Sequence, residues 1–446
     1  MPMSHLSRFA LNKARPDIDR TLRRLVETTY RNVAAYRRAF DEAGVASGEV
    51  RGVGDLPKLP ILGKEALARP SSPASVLRRG IDLKRCVRVG TSGSTGLPLN
   101  VYMSRAEAVY RRVLLWRAWR RLAPLRLPMT VVDVGSWIEA GRTAQIDRRG
   151  LVRVVRVSIA LPPREQVAII QRFRPQVISG YPTALDILAT EGGAMACRPT
   201  LIACRGEVLD PQTRSVLETT FEARVADFYN AEEIGNIAWE CPLDPTVLHV
   251  NTDGCVVEIV DDAGDRVPDG IEGRIVVTNL CNETMPFIRY DLDDRGSFLT
   301  RSDGVCGCGS TAPRLRVVSG RDDDYVVLPD GRRISPRLLA TTVNRAFSGL
   351  SPLGGFDRHF RRFRITQDRV NHVRIEIVPE PGPVSGLRPV SDLRPAPDFT
   401  AVIAPALEKL HPALRCTVDV VEHLDLGPSG KYRKVVSTIA PGDRPS

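Results

Sequence analysis

Residues 89–99 read VGTSGSTGLPL, a stretch in which Gly93 and Gly96 let the backbone bend sharply while Thr91, Ser92, Ser94 and Thr95 supply hydroxyl donors. Such a loop can wrap phosphates with its hydroxyls and amide N–H groups. It lacks the Gly-Lys-Ser/Thr of a Walker A loop and the spacing of G-x-G-x-x-G. Alone, it also reads as a flexible Ser/Gly linker. A second stretch, DFYNAEEIG at 227–235, places Glu232 and Glu233 side by side. A divalent ion bridging phosphates takes such hard carboxylate oxygens, which either glutamate offers. The plain alternative is a solvated acidic turn. Near the C-terminus, GPSGKYRK at 427–434 frames Lys431 with glycines. A flexible ammonium there can follow negative charge as it moves during a reaction, or it can simply be part of an exposed basic tail.

Four more residues point to a metal. Cys241 and His249 form C-x7-H, and Cys306 and Cys308 lie in CGCG. Three thiolates and an imidazole suit tetrahedral zinc and leave no open position, which is the pattern of a structural site. Cys86, Cys197 and Cys204 read as small buried side chains.

The elements that must hold these residues follow from the apolar pattern. Residues 15–45 carry Ile18, Leu22, Leu25, Val26, Tyr30, Val33 and Tyr36 at helical spacing, which predicts one amphipathic helix. A proline-punctuated connector, DLPKLP at 55–60, and a short helix at 64–68 come next. Between about 86 and 300, short β-branched runs at 87–89, 130–134, 152–157, 176–179, 201–204 and 223–227 alternate with helical stretches. That alternation predicts a parallel sheet covered on both faces. The glycine loop then falls between the strand at 87–89 and a helix starting near Ser104. Runs at 255–260 and 273–278 around a polar turn predict an antiparallel pair. Beyond Gly320 a smaller α+β unit is expected, with a helix opening at Ser335-Pro336, strands at 363–366, 372–378 and 417–421, and a helix near 400–410. The fold class is therefore α/β: a large domain at 1–319 with mixed sheets covered by helices, and a small α+β domain at 320–446.

The length of 446 residues suits two or three packed units, and 43% hydrophobic against 26% charged excludes wholesale disorder. Nine dispersed cysteines are an odd number and do not read as a secreted disulfide framework. No apolar run approaches the length of a membrane span, and the first 15 residues lack the apolar core of a secretory signal, so the expectation is a cytoplasmic protein without a membrane partner. Lys and Arg total 63 against 52 Asp and Glu, for a formal charge of +11. The basic residues are scattered, which leaves a zinc-containing nucleic-acid binder as the alternative class and argues against nucleic acid as the partner.

Taken in order, these segments resemble the adenylate-forming superfamily, in its phenylacetate:CoA ligase branch. TSGSTGLP resembles the phosphate-binding loop, and DLPKLP is similar to the branch's opening segment. ISGYPTAL at 178–185 resembles the strand end beside the acyl pocket, so Gly180 and Tyr181, with Val134 and Gly135 of TVVDVGS, are implied to border the acid. Gly206 and Glu207 match the Gly-x-Glu strand end beside adenine, although Arg205 stands where a small residue is usual. By the same resemblance Tyr229 stacks on adenine, Asp227 lies at its amino edge, and Glu233 holds Mg²⁺. Asn230 replaces a glycine, and Asn tolerates left-handed backbone. RYDLDDRG at 289–296 resembles R-Y-R-T-G-D, which assigns Asp294 to the ribose hydroxyls, a role suited to a two-oxygen acceptor. GRDD at 320–323 resembles the hinge, with Arg321 at the ribose and Asp323 as pivot, and Lys431 matches the catalytic lysine. In this branch, similar Cys and His segments bind structural zinc.

What the resemblance implies is an ATP-dependent ligase. A carboxylic acid, aryl or a related small acid, becomes an acyl-adenylate with release of pyrophosphate, and coenzyme A then takes the acyl group. A carrier-protein thiol, an amine, or nucleotidyl transfer to a cofactor remain open as alternatives. The implied cofactors are ATP, Mg²⁺, structural Zn²⁺ and coenzyme A, and relatives of the branch are often homodimers.

Overall fold

The computed structural model describes residues 17–68, 73–90, 99–135, 144–149, 151–159, 161–192, 195–300, 305–321, 326–328, 330, 333–334, 339, 342–343, 346, 360–379, 399–424 and 434–439. The chain divides into two compact units, Met1–Val317 and Val318–Ser446.

The first unit opens with two helices, not one: α1 (Ile18–Asn32) and α2 (Ala34–Glu42). Between them Val33 is extended at φ −121° and ψ 108°. Its side chain is fully buried at the joint, so an apolar residue that fits the helical spacing is also the residue that breaks it. A short helix α3 (Lys64–Ala68) follows. β1 (Val87–Gly90) and β2 (Asn100–Met103) then pair antiparallel as a sheet of their own, with Gly90 opposite Asn100. The glycine loop therefore joins two strands of a hairpin, which corrects the expected strand-to-helix placement. β2 is only four residues long, with Val101 and Met103 buried, and is too short for its alternation to announce it.

Helix α4 (Arg105–Leu122) starts at a capping box: Ser104 Oγ accepts from the Glu107 N–H at 3.2 Å, and Glu107 accepts from the Ser104 N–H at 2.6 Å. The same carboxylate takes the Glu283 and Thr284 N–H groups at 2.8 and 3.1 Å, fastening the helix start to a distant turn.

The main sheet is built next: β3 (Met129–Gly135), β4 (Ala144–Arg149), β5 (Val152–Ser158), helix α5 (Pro163–Phe173), β6 (Val177–Gly180), helix α6 (Pro182–Glu191), β7 (Leu201–Arg205), helix α7 (Pro211–Phe221) and β8 (Arg224–Ala231). Each of these helices has proline in its first turn, where the missing N–H costs nothing. β9 (Gly235–Glu240), β10 (Leu248–Val250), β11 (Cys255–Val260), β12 (Gly273–Asn279), β13 (Tyr290–Phe298) and β14 (Arg314–Arg321) complete it. Among the described residues the sheet has twelve strands in the order β11-β12-β13-β14-β10-β9-β8-β7-β6-β3-β5-β4. β5, β3, β6, β7 and β8 are parallel, while β8 to β9, β9 to β10 and β11 to β13 are antiparallel.

Three apolar clusters explain why this sheet folds. Val132, Val155, Ile178 and Ile202 face Ile170, Leu185, Leu217 and Phe221 of α5 to α7. On the opposite face Val131, Val177, Leu201 and Phe228 meet Trp119 and Leu122 of α4, so the parallel half is covered on both sides. Leu22, Leu25, Tyr36 and Phe40 cover the antiparallel half through Ile275, Val277 and Phe287. There the Tyr36 hydroxyl accepts from the Ile288 N–H at 2.9 Å, and burial pushes its pKa up.

The second unit contains β15 (Val326–Val327) with β16 (Arg333–Ile334), and a four-stranded sheet. β17 (Phe360–Arg369), β18 (His372–Pro379), helix α8 (Phe399–Glu408), β19 (Arg415–Val420) and β20 (Val435–Ser437) assemble in the order β19-β18-β17-β20. Phe363, Ile365 and Ile375 pack on Ile403 and Leu407 of α8. No helix among the described residues is long and apolar enough to cross a membrane.

Candidate functional site

β8 pairs parallel to β7 and antiparallel to β9, and the turn between β8 and β9 carries the two glutamates. Their environments differ. Arg111 of α4 donates to the Glu232 carbonyl at 2.6 Å and to its carboxylate at 3.2 Å, so Glu232 is tied to a guanidinium. Glu233 is buried, and its Oε1 accepts from the Tyr290 hydroxyl at 3.2 Å. Burial and the Glu233 carboxylate raise the Tyr290 pKa far above its ordinary value, so it stays a donor. Glu233 Oε2 takes no hydrogen bond among the described residues. Asn279 fixes the turn by donating to the Glu233 and Ile234 carbonyls at 3.2 Å each. Gly235 follows at φ +104°, and a Cβ there would meet the Arg111 side chain at 3.0 Å.

The strand before this turn carries Tyr229, whose hydroxyl donates to Asp294 Oδ2 of β13 at 2.6 Å. Two sequence motifs thus meet twice, through Tyr229 with Asp294 and through Tyr290 with Glu233. Asn230 does not take the left-handed backbone expected of it; it lies in β8, and its side-chain Oδ1 accepts from Asn236 Nδ2 at 2.8 Å. Left-handed backbone occurs instead at Asp293, φ +58°, and at Arg289, φ +45°. Asp291, one of the residues that departs from the family pattern, pairs with Arg274 at 2.6 Å and accepts from the Asp293 N–H at 3.0 Å. The Asp227 N–H donates to Glu240 at 2.9 Å.

Along the carboxyl ends of the parallel strands, Val134 lies opposite Gly180. A Cβ on Gly180 would come within 3.1 Å of the Val134 carbonyl, so the close approach favours glycine. Val134 and Tyr181 are buried here, and Gly135 follows at the end of β3. Arg205 ends β7. Its Nε donates to Ser179 Oγ at 3.1 Å, it forms an ion pair with Asp133, and its guanidinium carbon lies 5.4 Å from the Tyr181 ring centre. Burial works to lower the Arg205 pKa, but Asp133 and Tyr181 outweigh it and hold the group charged. Gly206 turns the chain at φ +74°, and Glu207 accepts from the Thr183 N–H at 3.1 Å.

The Cys/His set lies at the β9–β10 hairpin and the CGCG turn. Cys241, His249, Cys306 and Cys308 have ligand atoms all within 4.8 Å of one another. The Cys241 and Cys306 sulfurs are 3.7 Å apart, and Cys308 Sγ is 3.2 Å from His249 Nε2. Zinc–sulfur bonds of about 2.3 Å in a tetrahedron put sulfurs about 3.8 Å apart, so the residues fit that ion. His249 is fully buried, and burial lowers its pKa, which favours the neutral imidazole that ligates metals. The knuckle is shaped by Gly309 at φ +80°, where the Gly309 N–H reaches the Cys306 carbonyl at 2.7 Å.

Thr91, Ser92, Gly93, Ser94, Thr95 and Gly96, together with Asp323 and Lys431, lie outside the described residues, and Arg321 is described only as the last residue of β14. Sequence reasoning missed Arg111 and Asn279, and reached Asp133 only as part of the TVVDVGS segment. Arg111 sits mid-helix among other arginines and gives no signal. Tyr290 stood inside a recognised motif and could have been proposed as a carboxylate donor.

A family model described as AMP-binding enzyme matches residues 89–282. The phenylacetate-coenzyme A ligase of Thermus thermophilus is 31% identical over 344 residues, covering 74% of this chain and 75% of that one. The Escherichia coli phenylacetate-coenzyme A ligase is 27% identical over 334 residues, covering 72% and 74%. Among solved structures, 2-hydroxyisobutyryl-CoA ligase in its postadenylation state superposes with a TM-score of 0.72 at 18% identity, covering 98% of this chain and 90% of that one, a likeness of fold. With a 31% identical relative matched over three quarters of its length, the chain belongs to the adenylate-forming, AMP-forming acid–thiol ligases, in the phenylacetate–coenzyme A ligase branch.

Proposed function

We propose that the protein activates a carboxylic acid with ATP and passes the acyl group to coenzyme A. A carboxylate oxygen attacks the α-phosphorus of ATP, the bond to the bridging oxygen of pyrophosphate breaks, and an acyl-adenylate forms. The sulfur of coenzyme A then attacks the acyl carbon, the thiol proton passes to solvent, and AMP leaves. The first step makes a poor electrophile reactive by giving it a phosphate leaving group.

The observation that carries this reading is the double link between the β8–β9 segment and β13: Tyr229 to Asp294 at 2.6 Å and Tyr290 to Glu233 at 3.2 Å. In this reading Tyr229 supplies a ring face for adenine, with Asp227, Asn230, Gly206 and Glu207 around it. Asp294 accepts from the ribose hydroxyls, and Arg321 is assigned to the ribose as well. The hydroxyls and amides of Thr91 to Gly96 hold the phosphates. Glu233, oriented by Tyr290, would hold magnesium, which supplies charge neutralisation on the phosphates. Val134, Gly135, Gly180 and Tyr181 border the acid, and Lys431 follows the charge on the reacting carboxylate. Residues about Asp323 serve as the hinge between the two half reactions. Cys241, His249, Cys306 and Cys308 would hold a structural zinc that fastens the β9–β10 hairpin to the CGCG turn.

The test is acid-dependent exchange of labelled pyrophosphate into ATP across an acid panel, with Lys431→Ala alongside. Exchange that depends on the acid and falls by about a hundredfold or more in the variant, with ATP still bound, is the expected result. Undiminished exchange in Lys431→Ala removes that residue's role, and no exchange with any acid removes the reading.

A further inference from the structure

Arg205 ends β7 as a largely buried arginine at the carboxyl edge of the parallel strands, and its part can be read from what it touches. β7, β6 and β3 are consecutive parallel neighbours, and register aligns Asp133 with Ser179 and Gly180 with Cys204. Arg205, one residue beyond Cys204, reaches back across both neighbouring strand ends. It binds Ser179 Oγ at 3.1 Å on β6 and pairs with Asp133 Oδ1 on β3, over the ring of Tyr181. The side chains of Arg205 and Asp133 are 14% and 20% exposed, so the pair is mostly removed from water but still accessible at one side. Tyr181, which borders the acid in the function proposed above, is the residue the pair touches: its ring lies under the Arg205 guanidinium.

Part of the acyl wall is therefore an ion pair. A plain hydrocarbon ring or chain pressed against it would strip the remaining water from two charges and return nothing. A charged substituent would gain one partner of the pair and meet the like charge of the other. A neutral hydroxyl satisfies both, because it donates one hydrogen bond and accepts others. Asp133 uses Oδ1 for Arg205, and its Oδ2 takes no hydrogen bond among the described residues, so an acceptor is in place for the hydroxyl proton.

We propose that Asp133 and Arg205 form a specificity pair, and that the acid this enzyme activates carries a neutral hydroxyl on its chain or ring. The proposal rests on the acid-activation reading above and names its substrate class.

Pyrophosphate exchange with matched acids, aryl and short aliphatic, each with and without a hydroxyl, tests it. The wild-type enzyme favours a hydroxylated member over its unsubstituted partner by roughly tenfold or more in kcat/KM, as expected for a site built to bind a substrate hydroxyl. Arg205→Met brings that ratio to within about twofold. Asp133→Asn, which keeps an oxygen for Arg205 and puts an NH₂ in place of Oδ2, lowers the same ratio with little change of shape. It serves as the reading if Arg205→Met does not fold. A purely structural pair would change exchange with both members of a couple equally. Best exchange with unsubstituted acids, or a ratio preserved in a folded variant, overturns the proposal while leaving the ligase reading intact. No exchange with any acid overturns both.

Discussion

Arg289, the first residue of the RYDLDDRG segment, is expected to act on stability before it acts on chemistry. Its side chain is 3% exposed and pairs with Glu258, 1% exposed, at 3.3 Å. The guanidinium also donates to the carbonyls of Pro57, Leu59 and Gly264 at 3.2, 2.7 and 2.8 Å. One side chain thus clamps the DLPKLP connector and the β11–β12 turn onto β13. Replacing it with methionine keeps the aliphatic bulk and removes every one of these bonds. Breaking a buried pair by removing one partner costs about 3–5 kcal/mol, because the other charge stays buried. Arg266 still reaches Glu258 at 3.2 Å, which points to the lower end, about 3 kcal/mol. All four tryptophans of the chain lie between 116 and 239, so tryptophan fluorescence during urea unfolding reads the first unit alone. Arg289→Met should lower its unfolding free energy by about 3 kcal/mol, and Glu258→Leu added to it should recover about 1 kcal/mol or more. A loss below about 1 kcal/mol, or a double variant as unstable as the sum of the singles, would refute the clamp. Since Tyr290 is the next residue and orients Glu233, the single variant should also lose exchange activity under conditions where it remains folded.

Two further perturbations address the site directly. Tyr229→Phe removes the 2.6 Å bond to Asp294 while keeping the ring, so the KM for ATP should rise by about fivefold or more with little change in melting temperature; an unchanged KM would detach Asp294 and Tyr229 from the nucleotide. Cys306→Ser should release zinc by elemental analysis and lower the melting temperature, and purified wild-type protein without metal would remove the zinc reading.

The alternation of strands and helices from 130 to 227 was legible because most of its strands are short apolar runs, those of β6 and β7 buried on both faces. Where apolar content and periodicity part company, the reading failed. Val33 satisfies the helical pattern and yet forms the extended joint between α1 and α2. β4, AQIDRR, has one strongly apolar residue and gains strand form only by pairing with β5. Site residues were legible as types at a spacing, but their partners were not. Glu232 and Glu233 are adjacent and equivalent in sequence. They differ in the fold because α4 brings Arg111 to one and β13 brings Tyr290 to the other.

The sheet's change of direction at β8 accounts for the division of labour among these residues. On the parallel side, β3, β6, β7 and β8 end along one edge, where ligands of α/β sheets gather beyond the carboxyl ends of the strands. From β3 to β8 is three strand spacings, about 14 Å, a span on the scale of an acyl group joined to a nucleoside monophosphate. Asp133 stands on β3 at the far end of that row, Arg205 on β7 reaches back across β6 toward it, and Tyr229 stands in β8, where antiparallel pairing with β9 starts and the turn bearing Glu233 follows. A substitution at the β3 to β7 ends can therefore change which acid is accepted without touching the bonds among Tyr229, Asp294, Tyr290 and Glu233.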